Sequence, residues 1–378
     1  MNRDFEIARI EIIPCRLPLR EPFVIAYARQ DDIPTVLVRV TTHGGLIGWG
    51  EATPDPNVTG ESYHSTIAVL EHDLAPGMLG HDARDRELAV RKMDAIIDAV
   101  PAAKAAFDIA LHDLVARAHG LPLWALIGGR SKPYLQISRV VSLKAPAAMA
   151  ADAVRHVADG FATVKLKVGE AQNWRLDVER IAAVRAALGP DVKIKVDVNQ
   201  GWKTTANAIP AIRAALASNP EYIEQPVDQH DIEALAEVRR QTGATIMADE
   251  CCHGPREMQR IVALRAADLV NIKLMKTGGV VKALKTNAIA ETAGIGAQIG
   301  TMVESSIGSA AGLHVAMAMA NVRTVEMGGP LMITEEIGDL RSCYDRDRIT
   351  LPDKPGLGIE IDEAAVKRFS EAWLTIQV

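Results

Sequence analysis

The sequence predicts an α/β protein in which a TIM-type β/α barrel carries a smaller α+β unit. Between Leu135 and Glu326, eight short apolar strands alternate with alanine-rich helices. Their spacing is mostly about 25–30 residues, as β/α units require. The chain before them opens with hairpins and then turns helical, a pattern outside that repeat. A doubly wound open sheet would show the same alternation. The barrel is favoured by a third observation: polar residues recur at the carboxyl ends of successive strands, which in a barrel converge on one mouth.

Taken in order, Ile7–Ile13 and Pro34–Val40 are rich in branched residues and read as strands. Thr42-His43-Gly44-Gly45 turns the chain into a third, Leu46–Gly50. From Ser62 the pattern is helical, and Ala102–His119 ends at Gly120 with Pro122 beyond. His112 within that helix reads as a structural residue. These segments are expected to form a capping domain over residues 1–130. The barrel is expected over 131–340, from strands Leu135–Leu143, Thr163–Val168, Val192–Val198, Tyr222–Glu224, Thr245–Ala248, Leu269–Lys273, Gly296–Ile299 and Val322–Glu326. Residues 341–378, with Pro355-Gly356-Leu357-Gly358 before a last amphipathic segment, are expected to return to the capping domain.

The composition narrows the partners. A 378-residue chain with 48% hydrophobic residues can bury a sizeable core. A net charge of −6, spread along the chain, argues against nucleic acid or an anionic membrane. The four cysteines lack ligand-type spacing, and the adjacent Cys251 and Cys252 suit packing rather than a bridge. The charged start has no apolar signal core, and no later apolar run is long enough to span a bilayer. A cytoplasmic protein with no membrane partner is expected.

The chemistry lies at the strand ends. Lys165 and Lys167 are two apart in Thr163–Val168, so both amines point to the same side of the strand. Two ammonium groups side by side in a buried setting disfavour each other's charge, so at least one pKa is expected to fall. Asp197 and Asn199 end the third strand, Glu224 the fourth, Asp249 and Glu250 the fifth, and Lys273 the sixth. One such acid is more often a helix cap or a solvated carboxylate; three on successive strands are a sharper signal. Asp197, Glu224 and Asp249 offer three hard oxygen ligands with no histidine or thiolate, a set that suits Mg²⁺, with Mn²⁺ as the alternative. Such an ion can hold a substrate carboxylate and neutralise the charge that appears when an α-proton leaves. Lys167 and Lys273, across the barrel from each other, would then face opposite sides of a planar enolate.

Lys165-Leu166-Lys167, Asp197-Val198-Asn199-Gln200, Glu224-Gln225-Pro226, Ala248-Asp249-Glu250 and Asn271-Ile272-Lys273 fall in order on the expected strands. On these motifs the chain resembles the enolase superfamily, muconate-lactonizing subgroup, over nearly its whole length. The resemblance implies an α+β capping domain over a modified (β/α)₇β barrel. It also implies Mg²⁺ at Asp197, Glu224 and Asp249, Lys167 and Lys273 as acid/base residues, Lys165 as an electrostatic helper, and a homo-oligomer.

Within the subgroup, dipeptide epimerases are suggested by Val58–Ser62, by Asn199–Trp202 and by Asn271–Gly279. Those enzymes carry Asp-x-Asp after the eighth strand for the substrate ammonium, where this chain has Glu326-Met327-Gly328. Muconate cycloisomerases are suggested by Gly300–Gly308, by Glu326–Ile337 and by the Pro355–Gly358 tail, with Gly328 replacing their bulky aromatic. The expected reaction on a small carboxylate substrate is racemisation or epimerisation of an amino-acid or dipeptide-like compound. Cycloisomerisation of a muconate-like diacid is the alternative, and an enolate-forming dehydration comes third. Candidate substrate contacts are Asn199, Glu250, Glu304, Glu326, Arg139 and Arg29, with the loop Arg20–Gln30 and the turn Thr53–Gly60 placed to close the mouth. Three other readings are weaker. The glycines of Gly294–Gly300 are mis-spaced for a dinucleotide turn. A carboxylate-binding barrel without catalysis would have lost a lysine or an acid. His253 reads as a loop histidine without a partner.

Overall fold

A computed structural model describes residues 3–377. The chain opens with three antiparallel strands, β1 (Ile7–Val24), β2 (Arg29–Thr42) and β3 (Ile47–Ala52). Their branched residues alternate toward one buried face, which packs on the helix Pro101–Ala118. That helix is buried nearly all round, its charged Lys104, Asp108 and Asp113 included, because it lies between this sheet and the barrel. Gly48 and Gly50 allow the contact: a Cβ there would fall 2.1 Å from the Ala110 carbonyl and 1.8 Å from the Ala106 carbonyl.

Then come β4 (Leu135–Gln136) and the eight parallel barrel strands. These are β5 (Arg139–Val141), β6 (Thr163–Lys167), β7 (Lys193–Asp197), β8 (Ile223–Glu224), β9 (Ile246–Ala248), β10 (Leu269–Ile272), β11 (Gly296–Ile299) and β12 (Val322–Val325). Each pairs with its sequence neighbours, and a parallel bridge from Ile137 to Val325 links the last strand to the first. Seven long helices lie between the eight strands, which is the (β/α)₇β arrangement expected. After the barrel, β13 (Tyr344–Asp345) pairs with β14 (Arg348–Ile349) and β14 with β4, while β15 (Leu374–Gln377) pairs with β1.

Two local expectations are corrected. Leu135–Leu143 is not one strand: it splits at Ile137-Ser138 into β4, which serves the three-stranded sheet, and β5 in the barrel. Arg20–Gln30 is not a loop but the tip of the β1–β2 hairpin, bulged between Pro18 and Phe23 and turning at 25–28. No helix of the described residues is long and apolar enough to cross a membrane.

Buried carboxylates join the two parts. Glu51 of β3 accepts from the backbone N–H of Ser305 (2.9 Å) and of Gly308 (2.7 Å), and from the Ser305 hydroxyl (2.6 Å). It thereby occupies the amino end of the barrel helix Ser306–Ala318. Asp108 does the same for the helix Val280–Thr292 through the Val280 N–H.

Candidate active site

Period-2 alternation in β6 sends Lys165 and Lys167 into the barrel, and both are buried. Lys165 Nζ lies 2.9 Å from Asp197 Oδ2, 2.8 Å from Glu224 Oε2 and 2.5 Å from Glu326 Oε2. Lys167 Nζ donates to Asp197 Oδ2 (2.6 Å) and to Asn199 Oδ1 (3.1 Å). Across the barrel, Lys273 Nζ is 2.8 Å from Asp249 Oδ2. The expectation that crowding lowers a lysine pKa does not hold for Lys165. Burial alone would lower it, but Asp197, Glu224 and Glu326 outweigh burial and hold it well above the usual range. Lys273 is likewise raised, the desolvation cost being exceeded by Asp249 and Glu250.

The acids show the complementary pattern. Carboxylate oxygens of Asp197, Glu224 and Asp249 lie within 4.8 Å of one another, all fully buried. Burial pushes Asp197 up, yet Lys165 and Lys167 outweigh it and hold the carboxyl at about 2. Burial and the Asp197 charge push Glu224 well above its usual value. Three packed carboxylates cannot all ionise without further positive charge. Glu224 Oε2 and Asp249 Oδ2 also lack a hydrogen bond: the neighbouring lysines are near enough for an ion pair but not aligned as donors. Free, buried, hard oxygen atoms around one point fit a divalent cation.

Supporting groups with no role assigned from the sequence fix these acids. Lys276 Nζ donates to Asp249 Oδ1 (2.6 Å) and to the Asn271 carbonyl (3.0 Å), and Asn271 Nδ2 donates to Glu224 Oε1 (2.8 Å). Gln225 Oε1 accepts from the Asp249 N–H (3.0 Å). Asn271, two residues before Lys273, was findable by strand alternation; Lys276 was not. The backbone is left-handed at Asn199, Gln200, Gln225 and Val303 (φ 44°, 65°, 36° and 70°). Such conformations cost of order 1–3 kcal/mol each and cluster at functional sites.

A cavity of about 60 Å³ meets these groups. Lys165, Lys167, Lys273, Asn199 and Glu326 line it from the barrel, and the Thr301–Val303 loop closes one side. The capping sheet adds Phe23, Ile25 and Tyr27 from the hairpin tip and Asp55 from the turn after β3. Tyr27 donates to Asp55 Oδ2 at 3.2 Å.

The other candidates sit elsewhere. Glu250 lies behind the cavity, accepting from Asn199 Nδ2 (2.9 Å), and burial beside Asp249 and Asp197 pushes it up to about 7. Glu304 does not line the cavity; it accepts from the Thr301 hydroxyl and the Met302 N–H and so shapes the loop that does. Arg139 faces away: in β5 its neighbour Val140, paired with Lys165, points inward, while Arg139 lies in a groove beside His156 and Phe161. Arg29 is a surface residue paired with Asp31 at 2.9 Å. His253 is part-buried beside Gln229.

Residues 7–128 match the mandelate racemase/muconate lactonizing enzyme N-terminal domain, and residues 148–365 match the enolase C-terminal domain-like family. The chain belongs to the enolase superfamily, muconate-lactonizing subgroup. It is 44% identical to the N-succinyl-L-Arg/Lys racemase of Bacillus cereus, over 97% of this chain and 98% of that one. The crystal structure of that racemase superposes with a TM-score of 0.96, covering 98% of this chain and all of that one. A dipeptide epimerase from Cytophaga hutchinsonii, solved with Mg and D-Ala-L-Val, gives a TM-score of 0.94 at 33% identity, covering 98% of this chain and 100% of that one. Muconate cycloisomerase 1 of Rhodococcus opacus is 31% identical, over 97% of this chain and 99% of that one. The chain is an isomerase of this family.

Proposed function

We propose that the protein racemises an N-acylated amino acid with a cationic side chain, such as N-succinyl-arginine or N-succinyl-lysine. The observation that carries the reading is one cavity lined by both Lys167 and Lys273, with three buried carboxylates between them. Mg²⁺, or Mn²⁺ in its place, held by Asp197, Glu224 and Asp249, would supply Lewis-acid stabilisation of the charge that develops on the substrate carboxylate. Lys167 and Lys273 each approach the α-carbon from one face. The neutral amine of one takes the α-proton, and the ammonium of the other delivers a proton to the opposite face. Lys165, locked among three carboxylates, holds positive charge in place rather than shuttling protons.

An acylated amine is favoured over a free dipeptide amino terminus. Glu326, where dipeptide epimerases place their ammonium-binding acids, is already paired with Lys165 at 2.5 Å, and Gly328 adds no second acid. The side chain has a different partner: Asp55, on the capping side of the cavity, offers a carboxylate to an ammonium or guanidinium group. The cavity is small for such a substrate, and the hairpin tip is the capping element placed to move on entry. All four cysteines are unpaired, which suits the cytoplasm, and the resemblance supports a homo-oligomer.

The test is mass spectrometry after incubation in D₂O with Mg²⁺ and a panel of N-succinyl amino acids, dipeptides and cis,cis-muconate. Deuterium at the α-carbon of racemised N-succinyl-arginine or N-succinyl-lysine is expected. Exchange confined to dipeptides, or a deuterated lactone from muconate alone, would overturn the substrate assignment.

A further inference from the structure

A second cavity opens at the opposite end of the barrel, at the amino-terminal ends of the strands. Its volume is about 790 Å³, within the range of small-molecule sites. Barrel interiors are normally sealed by layers of branched apolar side chains. Here the layer one step below the catalytic residues is largely polar, because the residues two positions before Asp197, Glu224 and Glu326 are Lys195, Tyr222 and Thr324. Lys195 is fully buried, with Nζ 3.1 Å from both Gln298 Oε1 and Thr324 Oγ1 and 3.4 Å from Ser138 Oγ.

The rim adds charge of the same sign. Lys193 and Arg239 face this cavity but are neutralised, by Glu221 at 3.4 Å and Asp268 at 2.6 Å. Arg265 and Arg323 also face it, and neither has an ion-pair partner among the described residues. Arg323 lies across Gly296 at the entrance, where a Cβ would fall 2.9 Å from its Nε. Lys195 Nζ lies 3.9 Å from Glu326 Oε1 on the catalytic side; burial lowers its pKa, and Glu326, Glu221 and Glu224 offset only part of that. A chain of net charge −6 thus places two arginines without ion-pair partners among the described residues, and the buried Lys195 amine, around one water-accessible hollow. Clefts of one sign with low-dielectric walls focus their field and concentrate counter-ions.

We propose that this amino-terminal mouth binds a small multivalent anion bearing carboxylate or phosphate groups, held by Arg265 and Arg323 over the buried charge of Lys195. Guanidinium forks suit both oxyanions, and the ligand is distinct from the substrate because the two cavities open at opposite ends of the barrel.

Calorimetric titration of the Mg²⁺-loaded protein with inorganic phosphate, and separately with tricarballylate, tests the site. At least one probe is expected to saturate a single site; which one does so separates a phosphorylated from a polycarboxylate ligand. The Arg265→Ala/Arg323→Ala double variant should weaken that binding by about tenfold or more. Arg240→Ala, an exposed arginine paired with Glu237 on the barrel's outer surface, should leave it unchanged. Both arginines are exposed, so folding should survive, and a melting curve verifies it. Absence of saturable binding of either probe would overturn the proposal. So would equal affinity in the double variant, or an equal loss in Arg240→Ala.

Discussion

Lys276 holds Asp249 from behind: its Nζ lies 2.6 Å from Oδ1, both side chains are fully buried, and Oδ2 is left facing Lys273. The charge of a candidate metal ligand is therefore balanced by a lysine that does not reach the cavity. Lys276→Met keeps the volume but leaves Asp249 Oδ1 buried without its cation, Lys273 alone remaining on Oδ2, at a cost of about 3 kcal/mol. The expected outcome is a lowered melting temperature in chelator. Mg²⁺ should raise that temperature more in the variant than in wild type, because the cation replaces the missing charge. Melting curves with and without Mg²⁺ check both parts.

The two-lysine arrangement predicts a stereochemical split. Lys167→Ala and Lys273→Ala should each lose racemisation by roughly a thousandfold or more. Each should still exchange the α-proton of one enantiomer with D₂O, and the surviving enantiomer should differ between them. Mass spectrometry of enantiopure N-succinyl-arginine reads this directly. Loss of exchange for both enantiomers in both variants would count against opposed bases.

Asp55 predicts specificity without touching the chemistry. Its Oδ1 accepts from the Asn57 N–H at 2.7 Å, a turn that Asp55→Asn can keep. That variant should lose about tenfold or more in kcat/KM with N-succinyl-arginine and change little with N-succinyl-norleucine. Parallel loss with both substrates would place Asp55 in cap closure rather than side-chain recognition.

Glu304 predicts a pH-dependent stability. Burial pushes its carboxyl up to about 7 from 4.5, and the bonds from Thr301 and Met302 offset only part of that. Between these values the folded state holds a proton that the unfolded chain has released. Glu304 therefore makes stability fall as pH rises through the window, with no further change above it. Glu304→Gln should remove about 3 kcal/mol of that fall. Denaturant titrations at pH 4.5 and pH 7 measure it.

Much of the site was legible because strand alternation is a local rule. Thr163–Lys167 could place Lys165 and Lys167 on one side, and apolar runs ending in Asp197, Glu224 and Asp249 marked three adjacent strand ends. Arg139 escaped the same rule because β5 begins only after the break at Ser138, and its pairing with β6 turns Val140 inward instead.

The sequence by itself determined the succession of strands and helices and the candidate lysines and acids at the strand ends, since these follow from residue type and local periodicity. Tertiary structure decided what contact alone can decide. It turned Arg139 and Glu304 away from the cavity, and it brought Lys276 back under Asp249. It also brought Asp55, more than a hundred residues before Lys167 in the chain, to the same cavity. The physical reason is reach. Alternation fixes which way a side chain points from its own strand, but which group it meets depends on how the capping sheet seats on the barrel. That seating is set by buried partners such as Glu51 and Ser305, 254 positions apart in sequence.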